Sequence, residues 1–188
     1  MSASLRMFID RIQPLPEPVA EDLMAACEWM EFPRHYMLLR QGSPCDQMYF
    51  LVQGAMRYYY TDADSHETNV WFSIDDDVVT DSSSLVKKAP AGMSIQLLED
   101  AQMYRISLAR VEELLLKHHA FALWHIQLIY RYHILRVEER LNELQFFTAR
   151  QRYEKLIQTF PGITNRISLG HIASYLNITQ ETLSRIRR

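Results

Sequence analysis

The residues with the most to offer chemically stand at the end of the chain. Thr179-Gln-Glu-Thr-Leu-Ser-Arg185, followed by Arg187 and Arg188, gathers a carboxylate, an amide, hydroxyls and guanidinium groups within ten positions. An arginine bonds bidentately to guanine O6 and N7, a glutamate accepts from cytosine N4, and a glutamine pairs with adenine. Glu181 and Arg185 are four residues apart, so on a helix they share a face and orient one another. Thr179, Gln180, Glu181, Ser184 and Arg185 are therefore the candidate base-edge set. Arg187 and Arg188 suit phosphates, which carry charge but no sequence information.

Those side chains need a scaffold, and the preceding twenty residues supply the signals for one. Ser168 is placed to cap a helix whose inward residues are Leu169, Ile172, Ala173 and Leu176. Asn177 tolerates a left-handed turn, and Thr179 caps a second helix that turns Leu183 and Ile186 inward. Small Ala173 lets the two helices approach. The spacing is that of a helix-turn-helix, whose second helix enters the major groove. Thr148 begins a further helix that ends before Pro161-Gly162.

A longer helix is predicted from about 120 to 146. Leu123, Gln127, Tyr130, Ile134, Val137, Leu141 and Leu144 alternate in spacings of four and three, with Leu128 and Leu135 widening the stripe. A seam of this kind needs a partner of equal length, and a two-fold copy is the simplest one.

The front of the chain reads differently. Short helices are expected over 5–12 and 17–30, separated by Pro14, Pro16 and Pro18. From about residue 33, period-two aromatic runs predict strands near 36–40, 48–52, 55–60, 68–72, 77–79, 94–98 and 102–106, with Gly42 and Gly54 at junctions. Strands broken by turns every 8–12 residues argue for a β-sandwich or barrel. A helix capped by Ser107 follows.

Composition narrows the functional classes. Residues 1–130 hold 10 basic and 18 acidic residues, whereas 131–188 hold 10 and 5; the basic end suits a polyanion. Cys27 and Cys45 are too few for a disulfide framework, a four-cysteine metal site or an iron–sulfur cluster. No apolar run is long enough for a membrane span, and the N-terminus shows no secretory pattern, so a cytoplasmic protein without a membrane partner is expected.

The chain resembles the Crp/Fnr family of transcription factors. The resemblance rests on Leu38-Leu-Arg-Gln-Gly42 with Met48-Tyr-Phe-Leu-Val-Gln-Gly54, and on Ile178-Thr-Gln-Glu-Thr-Leu-Ser-Arg185, where the family's base-reading Glu, Ser and Arg fall on Glu181, Ser184 and Arg185. It implies an α+β chain: a cyclic-nucleotide-binding-like jelly roll over 1–118, a dimerisation helix over 119–146, and a helix-turn-helix over 147–188. It also implies a homodimer on a near-palindromic duplex, with RNA polymerase as a further candidate partner.

Two departures qualify it. Members that bind cyclic AMP carry a Gly-Glu and an Arg-Ser in their phosphate cassette. Here the corresponding stretch offers Asp81, Ser82, Ser83 and Ser94 with no arginine near 90–94, and the family's Thr-Ser on the dimer helix becomes Val137-Glu138. The acidic run Asp75-Asp76-Asp77, with Asp81, repels an anion, so no cyclic nucleotide and no other cofactor is expected and the effector stays open. The recognition helix is followed directly by Arg188, so no full β-hairpin wing is expected in this chain.

Other chemistry is less well served. A cupin-type metal site needs clustered ligands, and His35, His66 and Glu67 are too few and too scattered. His118, His119, His125 and His133 read as surface or seam residues, with haem ligation by one of them left open. Tyr58-Tyr59-Tyr60 and Trp71-Phe72 read as core rather than pocket. An enzyme is not expected; the main alternative is a ligand-sensing interaction module without DNA binding.

Overall fold

The computed structural model describes residues 2–188, except the side chains of residues 2, 3, 83, 85 and 86. Helices α1 (Ser2–Ile12) and α2 (Glu17–Ala26) lead into strand β1 (Glu28–Phe32). The helix expected to run to residue 30 thus stops at Ala26, and Cys27 turns extended. Beyond it the side chains alternate: Trp29 packs towards the helices and Met30 between the sheets, while the backbone pairs antiparallel with β8 (Ala101–Ser107). Long-range pairing overrides the local helical spacing of Leu23, Cys27 and Met30.

Two antiparallel sheets form the sandwich. One has the order β1-β8-β3-β6, with β3 (Gln47–Gln53) and β6 (Asp77–Val79); the other has β2-β7-β4-β5, with β2 (Met37–Leu39), β7 (Ser94–Leu97), β4 (Ala55–Thr61) and β5 (Glu67–Ile74). Leu51, Met56, Val79, Ile95, Leu97 and Met103 fill the space between them. Gly54 turns β3 into β4 with φ +128°, and a Cβ there would lie 2.8 Å from the Cβ of Ala101. Position 54 therefore needs glycine twice over, for its backbone and for its space.

Each sheet has its outer face covered. On the first sheet, Phe50, Tyr104 and Ile106 meet α1, α2, α4 (Leu108–Lys117) and α5 (His119–Ile129) around the fully buried Trp124. On the second, Ala55, Phe72 and Leu98 join the core of the C-terminal helices. Between β6 and β7 lies the short helix α3 (Ser82–Lys87), absent from the sequence expectation.

The long helix runs without a break from His119 to Phe146, as α5, one π-helical segment (Tyr130–Ile134) and α6 (Leu135–Phe146). The wider turn re-phases the faces below it, and such turns are frequent at functional sites. Leu128 faces the protein's own core, correcting its assignment to the stripe, while Leu135 is exposed. Leu123, Tyr130, Ile134, Val137, Leu141 and Leu144 are all exposed large apolar residues, and Gln127 is exposed beside them. Among the described residues no helix is long and apolar enough to cross a membrane.

Candidate nucleic-acid interface and adjoining cavity

The C-terminal head consists of α7 (Ala149–Thr159), α8 (Ile163–Arg166), α9 (Leu169–Tyr175) and α10 (Gln180–Ile186). Its local signals work as their chemistry demands. Thr148 and Gln151 form a reciprocal capping box, Ser168 accepts from the His171 amide, and Thr179 accepts from the Thr182 amide. Asn177 holds φ +54° in the turn between α9 and α10. Ile172, Ala173, Leu176 and Leu183 are buried between the helices.

Thr179, Gln180, Glu181, Ser184, Arg185, Arg187 and Arg188 all face solvent. Backbone hydrogen bonding, with the Thr179 hydroxyl, holds the Glu181 carboxyl below its usual range, so it stands as an acceptor at neutral pH. Arg185 Nη2 donates to Thr182 Oγ1 at 3.1 Å, which fixes the base of the guanidinium without covering it.

The opposite side of the head is fastened to the sandwich, an arrangement that no sequence signal announced. Arg57, only 6% exposed, lies 4.0 Å over the Tyr59 ring and donates to Gln96 and, at 2.6 Å, to Glu67. Its Nη1 also lies 3.5 Å from His171 Nδ1 on α9. The Asn69 amide donates to Ser174 Oγ at 2.9 Å, and Phe72 packs on Tyr175 with ring centroids 5.2 Å apart. Arg166 bridges Glu99 and Asp75, each at 2.6 Å. Burial, reinforced by Arg57, depresses the His171 pKa, which keeps a second cation away from Arg57.

A cavity of about 510 Å³ lies where the sandwich meets the π-helical segment. Asp81, Ser82, Val137 and Glu138 line it, whereas Ser94 stands apart with its hydroxyl accepting from the Gln41 amide. The Ser83 side chain falls outside the described residues. Tyr58 and Trp71, assigned to the core from sequence, do join the core between the sheets, and they also line this cavity together with Met93. His133 is likewise not a seam residue: it lies 3.2 Å from Ser82 Oγ, and burial together with Arg136 pushes its pKa down to about 4.

The Arg136 cation and the Asp81 carboxylate of the cavity wall each have partners within the chain. Arg136 Nη1 donates to the buried Asp77 at 2.6 Å. Burial raises the Asp77 carboxyl above its usual range, against the pull of Arg136. Asp81 accepts from the amides of Ser84 and Gly92, at 3.2 and 3.1 Å. Among the described residues, the one group whose side chains are close enough together to share a metal ion is Asp62, Asp64 and His66, in an exposed turn between β4 and β5 whose Asp62 accepts the amides of Asp64 and His66.

Comparison with known proteins agrees with this architecture. Residues 29–118 match the family model described as the cyclic nucleotide-binding domain. FixK2 from Bradyrhizobium japonicum superposes with a TM-score of 0.71 at 17% identity, over 86% of this chain and 82% of that one. CLP, described as the c-di-GMP-responsive global regulator of Xanthomonas campestris, gives 0.66 at 14% identity over 91% and 89%. A CooA mutant from Carboxydothermus hydrogenoformans gives 0.65 at 17% over 88% and 76%. A search of curated protein sequences found no match. At such identities the likeness establishes the fold alone: a cyclic-nucleotide-binding jelly roll, a long helix and C-terminal helices, arranged as in these structures.

Proposed function

We propose that a chain with this fold is a DNA-binding transcriptional regulator of the Crp/Fnr type, working as a homodimer on a near-palindromic duplex. The observation that carries the proposal is the outward face of α10. Glu181, Ser184 and Arg185 are exposed on a helix whose other side is packed into the head, and the head is in turn fastened to the sandwich through α9. Arg187 and Arg188 continue the basic edge towards the phosphates.

Dimerisation follows from the long helix. Six large apolar side chains of the heptad stripe stay exposed in the single chain, and an apolar partner surface along the helix would cover them. A parallel copy about a two-fold axis places two α10 helices in successive major grooves, with half-site centres roughly 34 Å apart. RNA polymerase is the partner that a bound regulator would meet next. The effector acts by favouring one disposition of the heads over another.

The test is a gel shift with sheared genomic DNA against the protein and its Glu181→Ala and Arg185→Ala variants. Retarded bands that the variants lose support the proposal. A protein that retards no fragment points to the second reading, a ligand-sensing module without DNA binding. That alternative draws on the sharing of one core by Ala55, Phe72 and Leu98 with the head, which makes the head part of the sensor body.

A further inference from the structure

We propose that the cavity between the sandwich and the long helix binds an uncharged, mainly aromatic small molecule, and not a cyclic nucleotide. The inference concerns the cavity alone and stands whether or not α10 reads DNA.

Size and lining favour such an occupant. At about 510 Å³ the cavity falls within the range of small-molecule sites, which are mostly apolar with a few placed polar groups. Trp71, Val70 and Met93 form one wall, and Tyr132, Val137 and Leu141 the other. A flat ring system fits between them and replaces water over apolar surface on both of its faces.

The charged groups argue against an anion. Both guanidinium groups of the wall are engaged: Arg136 with Asp77 at 2.6 Å and over the Tyr132 ring at 4.7 Å, and Arg140 with Glu143 at 3.2 Å and the Tyr175 carbonyl. The Ser84 and Gly92 amides, donors of the kind a phosphate would use, are answered by the Asp81 carboxylate. A phosphate entering here would face Asp81 and Glu138 and find its donors taken. By contrast, Ser82 and His133 offer a neutral hydrogen-bonding pair at 3.2 Å, suited to one hydroxyl or carbonyl on the ligand.

The wall also connects to the proposed regulation. Ile134, Val137 and Leu141 belong both to the cavity lining and to the exposed stripe, and His133 sits within the π-helical segment. A ligand held there touches the helix at the point where its phase changes.

The experiment is calorimetric titration of the full chain, near neutral pH and without DNA, with 2-naphthol, 2-naphthyl phosphate and cyclic AMP. The first two share one ring system and differ in charge. The expected result is saturable binding of one 2-naphthol per chain, at least about tenfold tighter than its phosphate ester, with no heat from cyclic AMP at the same concentration. Two fillers, Met93→Trp from the loop and Val70→Trp from the strand, each weaken 2-naphthol at least about tenfold, while Met93→Ala, which only enlarges the space, retains it. Absence of 2-naphthol binding overturns the proposal. Tighter binding of the phosphate ester or of cyclic AMP overturns it too, as does undiminished 2-naphthol binding in a folded filler variant. Because DNA is absent, none of these results bears on the role of α10.

Discussion

Truncating Leu141 gives the most quantitative view of the long helix. Its side chain is 58% exposed in the single chain, at the middle of the lower half of the stripe. Full burial of a leucine is worth about 1.5–3 kcal/mol, so covering the exposed part contributes roughly 1–1.7 kcal/mol. Leu141→Ala removes most of that apolar surface, about 1 kcal/mol per chain. Two-fold symmetry doubles the loss to about 2 kcal/mol, which corresponds to a roughly 30-fold rise in the dimer dissociation constant. Any cavity left at the interface adds to the effect. Leu116 on α4 is the control, since it is 91% exposed yet lies outside the stripe, and Leu116→Ala should leave association unchanged. Sedimentation equilibrium over a range of protein concentrations reads both constants. Equal dissociation constants for Leu141→Ala and the unaltered chain, or an equal loss in Leu116→Ala, would refute the assignment of the stripe to a two-fold partner.

Other consequences follow from single residues. Since the folded pKa of His133 lies at about 4 and the unfolded value at 6.5, the unfolded chain binds the extra proton between them, so stability is lost as pH falls from 6.5 to 4. The full effect is about 3 kcal/mol, and His133→Phe should flatten that part of the stability profile in urea titrations; an unchanged slope would contradict the burial of a neutral ring. Arg166→Ala unties α8 from Glu99 and Asp75 and should cost about 1–2 kcal/mol, seen as faster hydrogen exchange in α9 with β3 unaffected. Gly54→Ala meets both the positive φ and the Ala101 methyl, so a loss of about 2–3 kcal/mol is expected in chemical denaturation, and a neutral effect would show that the β3–β4 junction can shift.

What the sequence made legible was local. The caps at Ser107, Thr148, Ser168 and Thr179 and the left-handed Asn177 act within a few residues of themselves, so their spacing alone announced them. The strands from Met37 onwards and the continuous helix to Phe146 were similarly readable from period and punctuation. Non-local contacts were not. Strand β1 was hidden because Leu23, Cys27 and Met30 mimic helical spacing until β8 supplies a partner. The π-helical segment leaves no mark in composition and carries His133 into the cavity wall, while Leu128 joins Phe121 and Trp124 on the buried face of α5. Tyr58 and Trp71 do belong to the core as read, and it is the position of the long helix that also makes them a cavity wall. The seating of the head depends on Arg57 meeting His171, 114 positions away. The charge imbalance between the two ends anticipated the basic edge of α10 but not the buried Arg57 and the half-buried Arg166 that hold the head in place.

Selection of bound duplexes from a random pool tests the central claim most directly. The enriched sequences should converge on two inverted half-sites whose centres lie about 10 base pairs apart. Arg185→Ala should then relax the preference at one position of each half, at about 1–3 kcal/mol. Failure to enrich any sequence, or enrichment of a single unpaired half-site whose preference Arg185→Ala leaves intact, would contradict it.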